Sequence, residues 1–303
     1  LWDFQRLTGN WSGIGRFDKM LGPFLRRDLE AGRITLDDAR DLIAHFWIKG
    51  CEWVRGDDAY KESVFPRGSG DAQFYQNIVL AGVDEQGNDV TNEVTYLVFD
   101  VVEELHISDF PIAVRVSGRS PEKLLRRVAE VQRLGGGIVA VYNEDRIIPT
   151  LVAFGYPPEE ARNFANDGCW EIIMPGKTCF SYAWIDLLLA LQETLGVGSA
   201  AAAPAFADFD ALFTAFERRV ARHTAEVMNR GFGSLQPAPL VSLLAEDCIE
   251  RARGYYDQGP RYSVLSPHAS GLPDAANSLL VIRRLVFEEK RLTLPELVAI
   301  LDN

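Results

Sequence analysis

Apolar residues recur every three or four positions through most of the chain, so the dominant pattern is helical. Thr35 can cap a helix whose apolar face reads Ala39, Leu42, Ile43, Phe46 and Trp47. A second helix starts near Thr91 and carries Val94, Leu97, Val98, Val101, Val102 and Leu105 on one face. A third has Ser120 as its cap, Pro121 at the first helical position and Gly135 as its stop. A fourth follows Pro158, and a fifth covers about Trp184 to Leu195. A sixth starts at Asp208 and turns Phe209, Leu212, Phe213, Phe216 and Val220 inward. Two short apolar runs, Ile112 to Val116 and Ile138 to Val141, read as strands. Strand, helix, strand in that order predicts parallel α/β packing with buried strands. The run Ala200 to Ala205 reads as a connector between helices, and Gly135-Gly136-Gly137 as a helix stop with a tight turn.

Composition narrows the function classes. The 303 residues hold 31 Lys and Arg against 43 Asp and Glu, a net charge of −12. That balance argues against a general nucleic-acid binder, which needs clustered cations, and against a basic membrane-surface helix. No apolar run approaches the ~20 residues of a spanning helix. Four scattered cysteines (Cys51, Cys169, Cys179 and Cys248) do not make a disulfide framework, so a reducing cytoplasm is expected. None of the four histidines has metal-ligand spacing, and no Cys or His cluster suits an iron–sulfur centre.

The chemistry concentrates in Asn166-Asp167-Gly168-Cys169-Trp170-Glu171, which precedes Pro175-Gly176-Lys177-Thr178. Lying between a helix pattern and the Pro-Gly break, it is expected to be a loop. Cys169 and Glu171 are two apart, so in extended backbone their side chains leave on the same side. A thiol and a carboxylate facing one pocket make a reactive group with a general base. The same spacing also fits a packed cysteine beside a salt-bridged glutamate, and both readings stay open on spacing alone.

Gly168-Cys169-Trp170-Glu171 resembles the Gly-Cys-x-Glu loop of glycyl radical enzymes, the pyruvate formate-lyase-like family. Further stretches resemble that family in order. They are Gly15-Arg16-Phe17-Asp18, Asn77 to Asp84, Gly87 to Glu93, Tyr142-Asn143-Glu144-Asp145 with Ile148-Pro149, Cys248-Ile249-Glu250, Gly259-Pro260-Arg261-Tyr262 and Val286 to Lys290. The resemblance implies a helix-rich α/β fold, part of a ten-stranded barrel, with residues 1–303 as the central to C-terminal part of one domain. It implies Cys169 as the thiyl residue and Glu171 as the base, its pKa raised by burial. It also implies a small-molecule substrate, a homodimer, and a backbone glycyl radical installed by a separate radical S-adenosylmethionine activating enzyme.

Departures from the family pattern sharpen these expectations. Arg115-Val116-Ser117-Gly118 looks like the glycyl radical motif, but Arg119 stands where an aromatic belongs and the stretch precedes Cys169. The radical glycine is therefore expected beyond Asn303, and the chain is expected to be incomplete at both ends and inactive alone. The acyl-transfer branch uses adjacent cysteines, whereas Trp170 follows Cys169 here; Cys179, ten residues on, reads as a packed or pocket-lining thiol. Eliminating branches carry His-Ser before the Gly-Arg motif and an Asp after the loop. By position Asn10-Trp11 and Ala183 stand there, with Asp186 close by. Asn10, Trp11 and Trp170 are thus candidate substrate contacts for something larger or more apolar than glycerol, or for a cation over an indole face. His268, expected in a loop after Arg261-Tyr262, is a further candidate. The competing readings are core tryptophans and a packing histidine. Formate acetyltransferase-like cleavage, a non-catalytic binding homologue and a radical-free thiol enzyme are the rival functions.

Overall fold

The computed structural model describes residues 13–51, 77–106, 111–135, 139–167, 171–199, 204–230 and 238–302. Two compact units meet in sequence between Lys177 and Thr178.

The first unit is built on four parallel strands that neighbour one another in chain order: β1 (Gly15–Arg16), β2 (Ile78–Ala81), β3 (Ile112–Val116) and β4 (Val139–Asn143). Ile78 pairs in register with Ile112, and Ile112 with Val139. Parallel neighbours require crossovers, and helices supply them. α1 (Phe17–Glu30) and α2 (Leu36–Cys51) follow β1, α3 (Glu93–Leu105) joins β2 to β3, and α4 (Glu122–Gln132) joins β3 to β4. Strands covered by helices need no polar face, which is why Ile78, Val79, Leu80, Ile112, Ala113 and Val114 are all buried. The core closes over them with Trp47, Val98, Phe99, Val101 and Leu124. Phe17 stacks on Phe46 and meets Trp47 edge-on. Beyond β4 come α5 (Glu144–Ala153), α6 (Pro158–Arg162) and the antiparallel pair β5 (Ala165–Asp167) and β6 (Glu171–Ile173).

In the second unit β7 (Thr178–Asp186) pairs in parallel with β8 (Tyr262–Ser270) over nine residues. α7 (Leu187–Leu195), α8 (Phe209–Arg230) and α10 (Leu272–Ile282) share a core of Leu191, Leu195, Leu212, Phe216 and Leu279. The short α9 (Pro239–Leu244) lies between α8 and β8 in sequence, and α11 (Leu294–Leu301) adds Leu294 and Val298 to the core. No helix among the described residues is long and apolar enough to cross a membrane.

Several sequence expectations are corrected. The fifth helix begins at Leu187, because Trp184 to Asp186 finish strand β7. His268 lies within β8 and not in a loop. Pro121 occupies the cap of α4, and the Ser120 hydroxyl accepts the Ser117 amide instead of capping the helix. Leu42 is 63% exposed although it fits the apolar stripe of α2. The segment expected as a loop is an antiparallel hairpin, with β5 and β6 on either side of residues 168–170. α5 had no sequence expectation, since Pro149 interrupts its pattern; it lies inside the helix.

Candidate active site

The hairpin pairs Ala165 with Ile173, Asn166 with Ile172 and Asp167 with Glu171. Glu171 is therefore the first residue of the returning strand. Cys169 and Trp170 lie outside the described residues, as do Asn10 and Trp11. Glu171 itself is half-buried. Gly13 passes so close beneath the hairpin that a Cβ there would sit 2.4 Å from the Asn166 carbonyl oxygen. Glycine at 13 makes that approach possible. The Asn166 side chain is buried. Tyr142 of β4 neighbours both Asn166 and Glu171. Burial pushes the Tyr142 phenol above its ordinary range; the Asn166 side chain opposes that shift and the Glu171 charge adds to it.

Beneath the hairpin lies a buried ionic frame. Arg16, at the end of β1, donates from Nη2 to the Ala81 carbonyl at 2.9 Å and from Nη1 to the Val83 carbonyl at 2.7 Å. Asp18, at the start of α1, accepts the Ala81 amide and the Thr95 hydroxyl, each at 2.6 Å. Arg115 of β3 pairs with Glu144 at 2.5 Å, and Glu144 also accepts the Val83 amide at 3.0 Å. Gly82 leaves space for this pair, because a Cβ there would lie 2.3 Å from Glu144 Oε1 and 2.7 Å from the Arg115 Cβ. Buried charges of this kind hold only when paired and hydrogen-bonded. Burial lowers the Arg115 pKa to about 9, helped by the Arg16 charge and resisted by Glu144. Burial likewise lowers Arg16, against the pull of Asp18. It raises Asp18, against its bonds to Thr95 and Ala81.

Chemically, the first unit presents the half-buried Glu171 carboxylate at the start of β6, near Tyr142. A cleft of about 290 Å³ in the same unit is lined by Glu85, Asn163, Met174 and Lys177 among others. Of its lining charges, Glu85 pairs with Lys19 and Lys177 with Glu160. Among the described residues no group of three His, Cys, Asp or Glu side chains is arranged to hold a metal ion.

The second unit holds His268, whose ring meets the 64% exposed Trp184 edge-on across the β7–β8 pair at 5.5 Å. Asp186 caps α7 by accepting the Leu189 amide, a local structural role. Cys179 is fully buried, and burial with the neighbouring Cys248 pushes its thiol up to about 12. No sequence motif marks the Arg16, Asp18, Arg115 and Glu144 frame as a unit. Its sequence signal is a charged residue inside or beside β1, β3 and β4.

A family model described as pyruvate formate lyase-like matches residues 5–303. The trans-4-hydroxy-L-proline dehydratase of Clostridioides difficile is 29% identical over 307 residues, covering 95% of this chain and 38% of that protein. Among solved structures, the glycerol-bound form of the B12-independent glycerol dehydratase from Clostridium butyricum gives a TM-score of 0.79 at 27% identity, over 96% of this chain and 38% of that one. A glycyl radical enzyme from Archaeoglobus fulgidus gives 0.74 at 26% identity, over 92% and 38%. The chain thus spans about two fifths of the length of these relatives.

Proposed function

Because the chain belongs to the pyruvate formate lyase-like family of glycyl radical enzymes, we propose that it carries the cysteine turn of a radical dehydratase or lyase acting on a small molecule. The relatives it resembles include dehydratases and a sulfite-lyase. In this reading a backbone glycyl radical, lying outside the chain and installed by a radical S-adenosylmethionine activating enzyme, supplies the one-electron chemistry. Cys169 exchanges a hydrogen atom with a substrate carbon through its sulfur. Glu171 takes a proton from the substrate as the adjacent carbon–heteroatom bond breaks, and returns it to the leaving group. Trp170 and Trp11 set the size and polarity of what is admitted. A homodimer in a reducing cytoplasm completes the proposal.

The observation that supports it is the β5–β6 pairing, which places Glu171 at the first position of β6, two residues after Cys169 in the sequence. The acetyl-transfer alternative is disfavoured by Trp170 in place of a second cysteine and by the burial of Cys179.

The test uses the complete enzyme, activated anaerobically. Cys169→Ala is expected to abolish turnover while the glycyl radical doublet in the electron paramagnetic resonance spectrum persists. Glu171→Gln is expected to lower kcat by roughly 10²- to 10⁴-fold. Turnover by Cys169→Ala at the wild-type rate would exclude the thiyl reading. Formate release from pyruvate and coenzyme A would favour acetyl transfer instead.

A further inference from the structure

The three residues that lead into β5 are gripped one after another by cations, of which Arg115 and Arg16 are buried and Lys19 is half-buried. Arg115 Nη2 donates to the Arg162 carbonyl at 2.5 Å, and Arg115 Nη1 donates to the Phe164 carbonyl at 2.9 Å. Between them, the Asn163 Oδ1 accepts from Lys19 Nζ at 2.8 Å and from Arg16 Nη1 at 3.2 Å. The Arg115 guanidinium also lies over the Phe164 ring, 4.0 Å from its centroid. The cations themselves belong to β1, α1 and β3 of the first unit.

We propose that Arg115 is a positioning residue for the β5–β6 hairpin. Its planar fork spans two carbonyls two residues apart while staying paired with Glu144, and so fixes where the hairpin leaves the sheet. Arg16 and Lys19 hold the residue in between and prevent rotation about that anchor. A lysine at 115 could keep the charge opposite Glu144, but one ammonium cannot reproduce the fork. The catalytic significance of this anchor rests on the function proposed for Cys169 and Glu171; the anchor itself does not.

Hydrogen–deuterium exchange of the 303-residue chain tests the anchor. In Arg115→Lys, amides of 164–167 and 171–173 are expected to exchange roughly tenfold faster or more, as loss of charge-assisted bonds predicts. Amides of β2, β3 and β4 are expected to stay within about twofold of wild type, because their ladder bonds are untouched. Arg115→Met, which lacks all donors, is expected to loosen the hairpin further, so that lysine counts as partial rescue. The rate of Cys169 alkylation by iodoacetamide is expected to change in the same order. Should Arg115→Lys lose the wild-type circular dichroism, Glu144→Gln takes its place; it keeps an acceptor for Arg115 and Val83, and a smaller acceleration confined to the same amides is expected.

Unchanged hairpin exchange in a folded variant overturns the proposal. So does acceleration spread equally over hairpin and sheet, since that marks Arg115 as a general core residue. A hairpin that loosens as expected, in an enzyme whose Cys169→Ala variant turns over normally, keeps the anchor and removes the radical reading.

Discussion

At the residue scale, burial decides which thiol is inert. Cys179 sits on the covered face of β7 with no exposed surface, and its proton is held up to about 12. Alkylation needs the thiolate. Iodoacetamide at pH 8 is therefore expected to leave Cys179 and Cys248 unmodified in the folded chain, and to label both in denaturant. Linkage fixes the sign of the pH effect. The unfolded thiol releases its proton around the ordinary value of 9.0, while the folded one keeps it to about 12. In that window the folded state binds more protons, so stability falls as pH rises, by up to about 1.4 kcal/mol per unit. The stability advantage of wild type over Cys179→Ala, from urea unfolding at pH 8 and pH 10.5, is expected to narrow accordingly. A gap that stays constant across those pH values would contradict it.

At the element scale, local caps are tied into the buried frame. Asn92 accepts the Val94 amide at the start of α3, and the Thr95 hydroxyl accepts the Asn92 amide in return. The Asn92 Nδ2 also donates to the Asp18 carbonyl, and the Thr95 hydroxyl donates to the Asp18 carboxylate. One cap thereby orients α3 against the first turn of α1. Asn92→Ala is expected to cost about 1–2 kcal/mol in urea unfolding, the upper part of the range for a lost cap. Thr95→Val removes the bond to the buried Asp18 carboxylate and is expected to cost more than a peripheral threonine would, because it strips a partner from a buried charge. These bonds also give physical content to Gly15-Arg16-Phe17-Asp18. The arginine reaches the carbonyls at the end of β2 and the aspartate reaches an amide there, so the motif staples β1 and α1 to β2.

At the scale of the whole molecule, the chain supplies two units with separate apolar cores and about two fifths of the length of its relatives. The one stretch resembling a radical motif ends at Gly118, which lies in an exposed turn where its amide donates to Asp145. With an activating enzyme and S-adenosylmethionine under anaerobic conditions, the 303-residue chain is expected to show no glycyl radical doublet. A doublet that disappears in Gly118→Ala would overturn that expectation and move the radical into this chain.

The sequence alone determined the helices with a clean apolar period. The stripe of α3 was legible because Val94, Leu97, Val98, Val101 and Val102 are all buried on one face. Ile112 to Val116 was legible as a buried strand because a parallel sheet covered on both sides leaves no alternation to disguise it. The Gly168-Cys169-Trp170-Glu171 order was legible as chemistry through resemblance. What only the tertiary structure decided has long-range causes. Residues 178–186 became a strand because they pair along their whole length with 262–270, a partner some eighty residues away that no local period encodes. Arg115 reads locally as a charge spoiling an apolar strand. It is tolerated there because Glu144 and the carbonyls of Arg162 and Phe164 converge on it from elements that meet only after folding. A periodicity reports which face is buried; it carries no record of which distant polar group will be waiting there.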